Sequence, residues 1–174
     1  MATVRASLRQ RTSLPGEAAT VISDINRQLV RDVEDSGQFM TLFYMTIDPK
    51  QRYLKWIRAG HDPAIFYDPD TDSFQELSGS GVALGVMENW EFKANKKTAL
   101  RKGQIILIST DGVWEACNNR GKMYGKDPIY DIIRKNSALG ANEILDAILA
   151  SLNRFQRGAK LQDDISLVVI KIID

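Results

Sequence analysis

Two acidic positions stand where side chains could do chemistry. Residues 105–110, Ile-Ile-Leu-Ile-Ser-Thr, form a short apolar run that predicts a buried strand, and Asp111 follows at its end with Gly112 behind it. A carboxylate on a rigid strand end is well placed to hold a hard metal ion, and the glycine lets the chain leave sharply. Asp163 and Asp164 precede a second apolar run, Ile-Ser-Leu-Val-Val-Ile at 165–170. Side chains of an extended chain alternate faces, so only one of that pair can point into a given site. Taken singly, each acid has a plain explanation. Asp-Gly is a common turn pair, and polar loops often lead from a helix into a strand. Taken together, two buried strands that each carry an acid at one end suggest a carboxylate site. All-oxygen ligands favour Mg²⁺ or Mn²⁺ over zinc. Two such ions can hold a hydroxide between them and clamp phosphate oxygens for in-line attack by water.

Other candidates offer less. Asp68-Pro69-Asp70-Thr71-Asp72-Ser73 opens like a calcium loop, but Ser73 stands where that loop needs glycine and Gly79 where it needs glutamate. The stretch is expected to be a hairpin turn. His61 is the sole histidine, within Arg58-Ala59-Gly60-His61-Asp62-Pro63. No G-x-S-x-G elbow offers it a nucleophile, so the expected role is to bond a turn backbone, with a metal or acid role as the alternative. Cys117 has no activating partner in the sequence and is read as incidental.

The elements that must position these residues follow from periodicity. Residues 1–11 are helix-compatible but have no start signal. Pro15 is expected to open a second helix, with Glu17 in its first turn, where a negative charge suits the helix dipole. Ala18, Val21, Ile22, Ile25, Leu29 and Val33 recur at helical spacing. Residues 39–48 are apolar on both faces, which predicts a central strand. A turn at 48–51 leads to an antiparallel strand over 53–59. Short strands are expected at 64–67 and 74–77, an exposed one at 91–100, and a last one at 165–173. Asp127-Pro128 reads as a cap and first-turn proline. Ile129, Ile132 and Ile133 give that helix a face, as Ile144, Leu145, Ile148, Leu152 and Phe155 do for the next. Strands and helices are segregated, which predicts antiparallel sheets with helices outside them, an α+β class.

The 174 residues suit one compact domain, and 44% hydrophobic with 26% charged residues is ordinary globular composition. A formal net charge of +1 and scattered basic residues argue against nucleic acid or an anionic membrane as partner. The lone cysteine excludes a disulfide framework and suits a reducing cytoplasm. No apolar run is long enough to span a bilayer.

The run from Ser109 to Gly125, Ser-Thr-Asp-Gly-Val-Trp-Glu-Ala-Cys-Asn-Asn-Arg-Gly-Lys-Met-Tyr-Gly, closely resembles the S-T-D-G-V-x-E-A-x-N-x-x-G-x-x-Y/F-G stretch of SpoIIE/RsbU-type serine/threonine phosphatases of the metal-dependent PPM family. Phe39-Met40-Thr41-Leu42-Phe43, Ala59-Gly60-His61-Asp62-Pro63 and Asp163-Asp164-Ile165-Ser166-Leu167-Val168-Val169 are similar to further family stretches, in the same order. The resemblance covers nearly all of residues 1–174. It implies an αββα sandwich of two antiparallel sheets flanked by helices. It also implies hydrolysis of phosphoserine or phosphothreonine with a binuclear Mn²⁺ or Mg²⁺ centre. Asp111 matches one family metal ligand and Asp163, rather than Asp164, another; Gly112 matches the glycine beside the ligand. The substrate implied is a phosphorylated regulatory protein, typically a STAS-fold anti-anti-sigma factor, with a sensor or receiver domain upstream.

The family's opening G-D-Y-Y-D-like and G-D-V-S-G-H-G-like motifs, which supply further metal carboxylates, have no counterpart here. The chain is therefore expected to enter the domain mid-helix, without its first strands, and to cover the resulting open edge by self-association as a homodimer. Two functions follow, a phosphatase domain impaired in this form or a pseudophosphatase that binds a phosphoprotein without turnover.

Overall fold

A computed structural model describes residues 2–12, 16–159 and 163–173. The helices are α1 (Ala2–Thr12), α2 (Ala18–Val33), α3 (Asp127–Lys135) and α4 (Ala141–Gln156). The strands are β1 (Leu42–Asp48), β2 (Tyr53–Ala59), β3 (Ala64–Asp68), β4 (Ser73–Leu77), β5 (Asn95–Lys97), β6 (Ile105–Ser109) and β7 (Leu167–Lys171). They fall into two compact units, one of residues up to Pro63 with Ser78–Ala99, the other of Ala64–Leu77 with the chain from Leu100 onward. Among the described residues no helix is long and apolar enough to cross a membrane.

In the first unit α2 turns Val21, Ile22 and Ile25 into a core shared with Val4, Ile57, Ala59, Leu84 and Phe92. This is the face that the 3.6-residue period predicts. The same helix buries two polar residues that the period does not reveal. Asn26 is fully buried; its Nδ2 donates to the Met87 carbonyl at 2.7 Å, and its Oδ1 accepts the Gly85 N–H at 3.0 Å. Ser23 Oγ accepts the Phe92 N–H at 3.0 Å. These bonds satisfy loop amides and carbonyls that would otherwise be stranded in the core.

The first unit's sheet has the order β1-β2-β5, all antiparallel, with Leu42 opposite Ala59 and Trp56 opposite Asn95. The central strand is thus β2, and β1 lies at the end of the order with half-buried side chains, contrary to the expectation for 39–48. A run apolar on both faces fits a half-covered strand as well as a central one, and only the pairing separates them. The strand also starts later, at Leu42. Met40 instead exchanges backbone hydrogen bonds with Leu84 at 2.9 and 2.8 Å, while Phe39 is 66% exposed. The exposed strand expected over 91–100 shrinks to Asn95–Lys97, because Phe92 and Leu100 turn into the interior. Glu17 sits at the cap of α2, one residue before its first turn, with an extended backbone. Pro15 lies outside the described residues.

In the second unit the order is β4-β3-β6-β7, again antiparallel throughout. Ile105 and Leu107 of β6, with Ile65 and Tyr67 of β3, pack against Ile129 and Ile133 of α3 and Ile144, Ile148 and Leu152 of α4. Each such buried side chain contributes about 1.5–3 kcal/mol relative to exposure. Asp127 is the first residue of α3 rather than its cap, and Pro128 follows in the first turn. Helix starts read from sequence commonly slip by one residue in this way. Each unit therefore has one antiparallel sheet and two helices, in keeping with the α+β expectation.

The turn at 68–73 is a hairpin, as expected, with Asp68 opposite Ser73. Its acids are tied to basic and amide groups of the same unit. Asp68 is buried, and its Oδ2 accepts from Arg101 Nη2 at 2.6 Å and from the buried Gln104 Nε2 at 2.9 Å. Its Oδ1 accepts the Asp70 N–H at 3.1 Å. Asp72 pairs with Arg134 at 2.7 Å. Burial disfavours the Asp68 charge, but the bonds from Arg101, Gln104 and the Asp70 amide outweigh it and hold the carboxyl below its ordinary value. A carboxyl lowered on folding adds stability above its unfolded pKa and loses it as pH falls through the folded one. Asp68→Asn should therefore lower the unfolding free energy by about 1–3 kcal/mol at neutral pH. In urea titrations the gap from the parent should close as pH falls below about 4; a gap independent of pH would contradict this reading.

Candidate metal centre

The candidate centre lies where the chain leaves β6 beside the segment that enters β7. β6 is hydrogen-bonded on both sides, to β3 and β7, and Ile105, Ile106 and Leu107 are buried, so its end is held firmly. Ser109 opposite Leu167 sets the register, and the strands run antiparallel. Thr110 extends the pairing past the strand ends. Its N–H donates to the Ser166 carbonyl at 3.1 Å, its Oγ1 accepts the Ser166 N–H at 3.0 Å, and its hydroxyl donates to the Asp164 carbonyl at 3.2 Å.

Asp111 then opens a 3-10 turn, Asp111–Val113, closed by the Glu115 N–H on the Asp111 carbonyl at 2.9 Å. Gly112 meets the facing segment here. A Cβ at this position would stand 2.7 Å from the Asp164 carbonyl oxygen and 3.6 Å from Asp163 Cβ. A contact under 3 Å against backbone oxygen is not tolerated without a shift, so the absence of a side chain permits this approach. Gly112 thus has a steric reason of its own, beyond the sharp turn that Asp-Gly suggests.

The carboxylates of Asp111 and Asp163 are exposed. Asp163 Oδ1 accepts the N–H of Asp164 at 2.7 Å, which holds its side chain against the local backbone. Asp163 lines a cleft of about 250 Å³ with Gly112, Glu115, Ala116, Cys117, Met123 and Gln156. Neither Asp111 nor Asp164 is among the lining residues. The Asp164 carbonyl accepts the hydrogen bond of the Thr110 hydroxyl.

Glu115 and Gln156 belong to this cleft and were not singled out from the sequence. Glu115 follows Asp111 by one turn's spacing within the recognised run, which was the signal available. Gln156 is buried at the end of α4 and carries no motif. Cys117 also lines the cleft, with Sγ 3.4 Å from the Glu115 carbonyl. His61 is in the first unit. Its Nδ1 lies 2.9 Å from the Asp62 carbonyl, its own carbonyl accepts from Arg58 Nε, and its ring approaches Phe43 at 6.1 Å. Those are the contacts of a histidine engaged with a turn.

Exposed carboxylate oxygens are the donor class that Mg²⁺ and Mn²⁺ take. Asp111 and Asp163 fit such an ion in kind, but not in number. Among the described residues no group of three or more His, Cys, Asp or Glu side chains is placed to hold a metal ion.

Phosphoserine phosphatase RsbU of Bacillus subtilis is 27% identical over 151 residues, which are 87% of this chain and 44% of RsbU. The chain thus spans less than half the length of that relative. Among solved structures, the SiaA-PP2C domain of Pseudomonas aeruginosa matches with a TM-score of 0.81 at 19% identity, over 98% of this chain and 66% of that one. RsbX, crystallised in complex with magnesium, matches with a TM-score of 0.67 at 16% identity, over 97% of this chain and 70% of that one. These likenesses show the fold, that of PP2C-type domains. The model of the family described as stage II sporulation protein E (SpoIIE) matches residues 1–173, and the chain belongs to that family.

Proposed function

We propose that this chain is the greater part of a metal-dependent phosphoprotein phosphatase domain that removes phosphate from serine or threonine of a regulatory protein. The observation that carries the reading is the juxtaposition of the Asp111 turn and the Asp163 segment, stitched by Thr110 and permitted by Gly112. Family membership supports it, as does the activity named for the relative RsbU.

Asp111 and Asp163 are the residues that would hold a divalent ion, Mn²⁺ or Mg²⁺. Such ions, when bound, supply an activated water and neutralise charge on the phosphate. The chain's own residues do the positioning. Thr110 fixes the spacing of the two segments. Gly112 keeps their backbones close. Glu115 places a further exposed carboxylate at the cleft. The remaining carboxylates of a binuclear site are assigned to the family's opening motifs, which have no counterpart among residues 1–174.

A STAS-fold anti-anti-sigma factor is the proposed substrate type, the cytoplasm the proposed compartment, and a sensor or receiver domain upstream the proposed input. Self-association belongs to the same reading, since β1 pairs on one side only among the described residues. A pseudophosphatase that binds without turnover is the second reading. It is favoured for this chain by itself by the lack of a three-ligand cluster among the described residues.

Mn²⁺-dependent hydrolysis of a phosphoserine peptide, by this chain and by a version extended upstream to the missing motifs, separates the two readings. Activity in the extended version is expected. There Asp111→Asn should reduce turnover more than about a hundredfold with little change in melting temperature. Full activity of that variant would remove Asp111 from the site. Gly112→Ala should destabilise the fold by about 1–3 kcal/mol and also depress turnover, because the added methyl forces the two segments apart. A fully stable Gly112→Ala protein would show that the close approach is not needed.

A further inference from the structure

Arg154 and Arg157, at the end of α4, and the sequence-distant Arg120 line one groove of the second unit. Arg154 lies in the last turn of α4, Arg157 caps that helix, and Arg120 stands in the loop beyond the 3-10 turn. The groove has a volume of about 620 Å³; Tyr124, Phe155 and Gln156 are among its lining, and no carboxylate is. None of the three guanidinium groups is in an ion pair among the described residues. A chain with a formal charge of only +1 thus has three exposed arginines bordering one trough.

The walls are held in place. Asn118 Oδ1 accepts the N–H groups of Arg120 and Lys122 at 2.9 and 3.1 Å. Asn119 Nδ2 donates to the Arg157 carbonyl at 3.3 Å, which ties the loop to the end of α4. The Tyr124 hydroxyl bonds Ser151 Oγ at 2.8 Å, and its ring meets Phe155 edge-on with centroids 5.2 Å apart. Arg157 has φ +40°, a left-handed conformation that usually belongs to glycine at a helix end. Gln156 lines both this groove and the cleft that holds Asp163 and Gly112, so the two adjoin across that side chain.

We propose that this groove binds an acidic segment of the protein substrate, with the three guanidinium groups paired to Asp and Glu side chains that flank the phosphorylated residue. The identity of what enters the cleft rests on the phosphatase reading; the groove's preference for carboxylates rests on its own geometry. Guanidinium groups bind carboxylates through paired, charge-assisted hydrogen bonds, and the aromatic floor accepts the peptide's apolar parts.

Fluorescence anisotropy on this chain, without metal, tests the proposal. The probes are two short fluorescein-labelled serine peptides without phosphate, one flanked by Asp and Glu and one by Asn and Gln. The acidic peptide should bind at least about tenfold more tightly, and salt should erode the difference. Combined Arg120→Gln, Arg154→Gln and Arg157→Gly substitution should abolish the preference. Arg157→Gly alone should weaken the acidic peptide without lowering the melting temperature, since glycine suits that backbone. Equal affinity for the two peptides, or a preference that survives the triple substitution, would overturn the proposal. The assay needs no turnover, so a chain that binds the acidic peptide while its extended version fails to hydrolyse phosphoserine sustains the groove and counts against the catalytic reading alone.

Discussion

Thr110 joins the exit of β6 to the entry of β7 through its amide and its hydroxyl, and the candidate centre depends on that junction. The two segments it brings together are separated in the chain by α3, α4 and their connections. Closing so long a loop is entropically unfavourable, and the cost must be met by the burial of both helices against the sheet. The core of Ile105, Leu107, Ile129, Ile133, Ile144, Ile148 and Leu152 supplies that burial. The hydrogen bonds of Thr110 then convert a packed sheet into a defined spacing at its edge. Gly112 completes the arrangement by leaving room for the Asp164 carbonyl.

Asp68 and Asp72 differ in their partners from Asp111 and Asp163. Asp68 and Asp72 are bound to Arg101, Gln104 and Arg134, and their lone pairs are spent on holding the hairpin. Asp111 and Asp163 are exposed and meet no cation among the described residues, which leaves oxygen atoms available to a ligand from solution. The arginines divide in the same way. Arg101 and Arg134 serve the fold, whereas Arg120, Arg154 and Arg157 face a groove beside the cleft.

Much of this was legible in the sequence because it rests on local rules. Apolar period marked the faces of α2, α3 and α4, the short turn at 48–51 marked β2 as an antiparallel strand, and Asp-Gly after an apolar run marked the end of β6. The failed calcium-loop pattern was enough to identify the 68–73 hairpin. What escaped depends on contacts between distant residues. Asn26 and Ser23 break the apolar pattern of α2, and only the loop at 84–92 explains their burial. The place of β1 at the end of its sheet is a matter of pairing, not composition. Gln156 reaches the cleft, and Arg120 meets Arg154 and Arg157, because the loop beyond the 3-10 turn folds against the end of α4.

Under the proposed function, Asp111 and Asp163 contribute to a single metal site. Paramagnetic broadening of backbone amide signals by Mn²⁺, titrated into this chain, tests it even if binding is weak. The amides of residues 111–113 and 163–165 should broaden together, and Asp111→Asn should remove the effect at both segments. Broadening confined to one segment, or unchanged in the Asp111→Asn protein, would contradict a shared site.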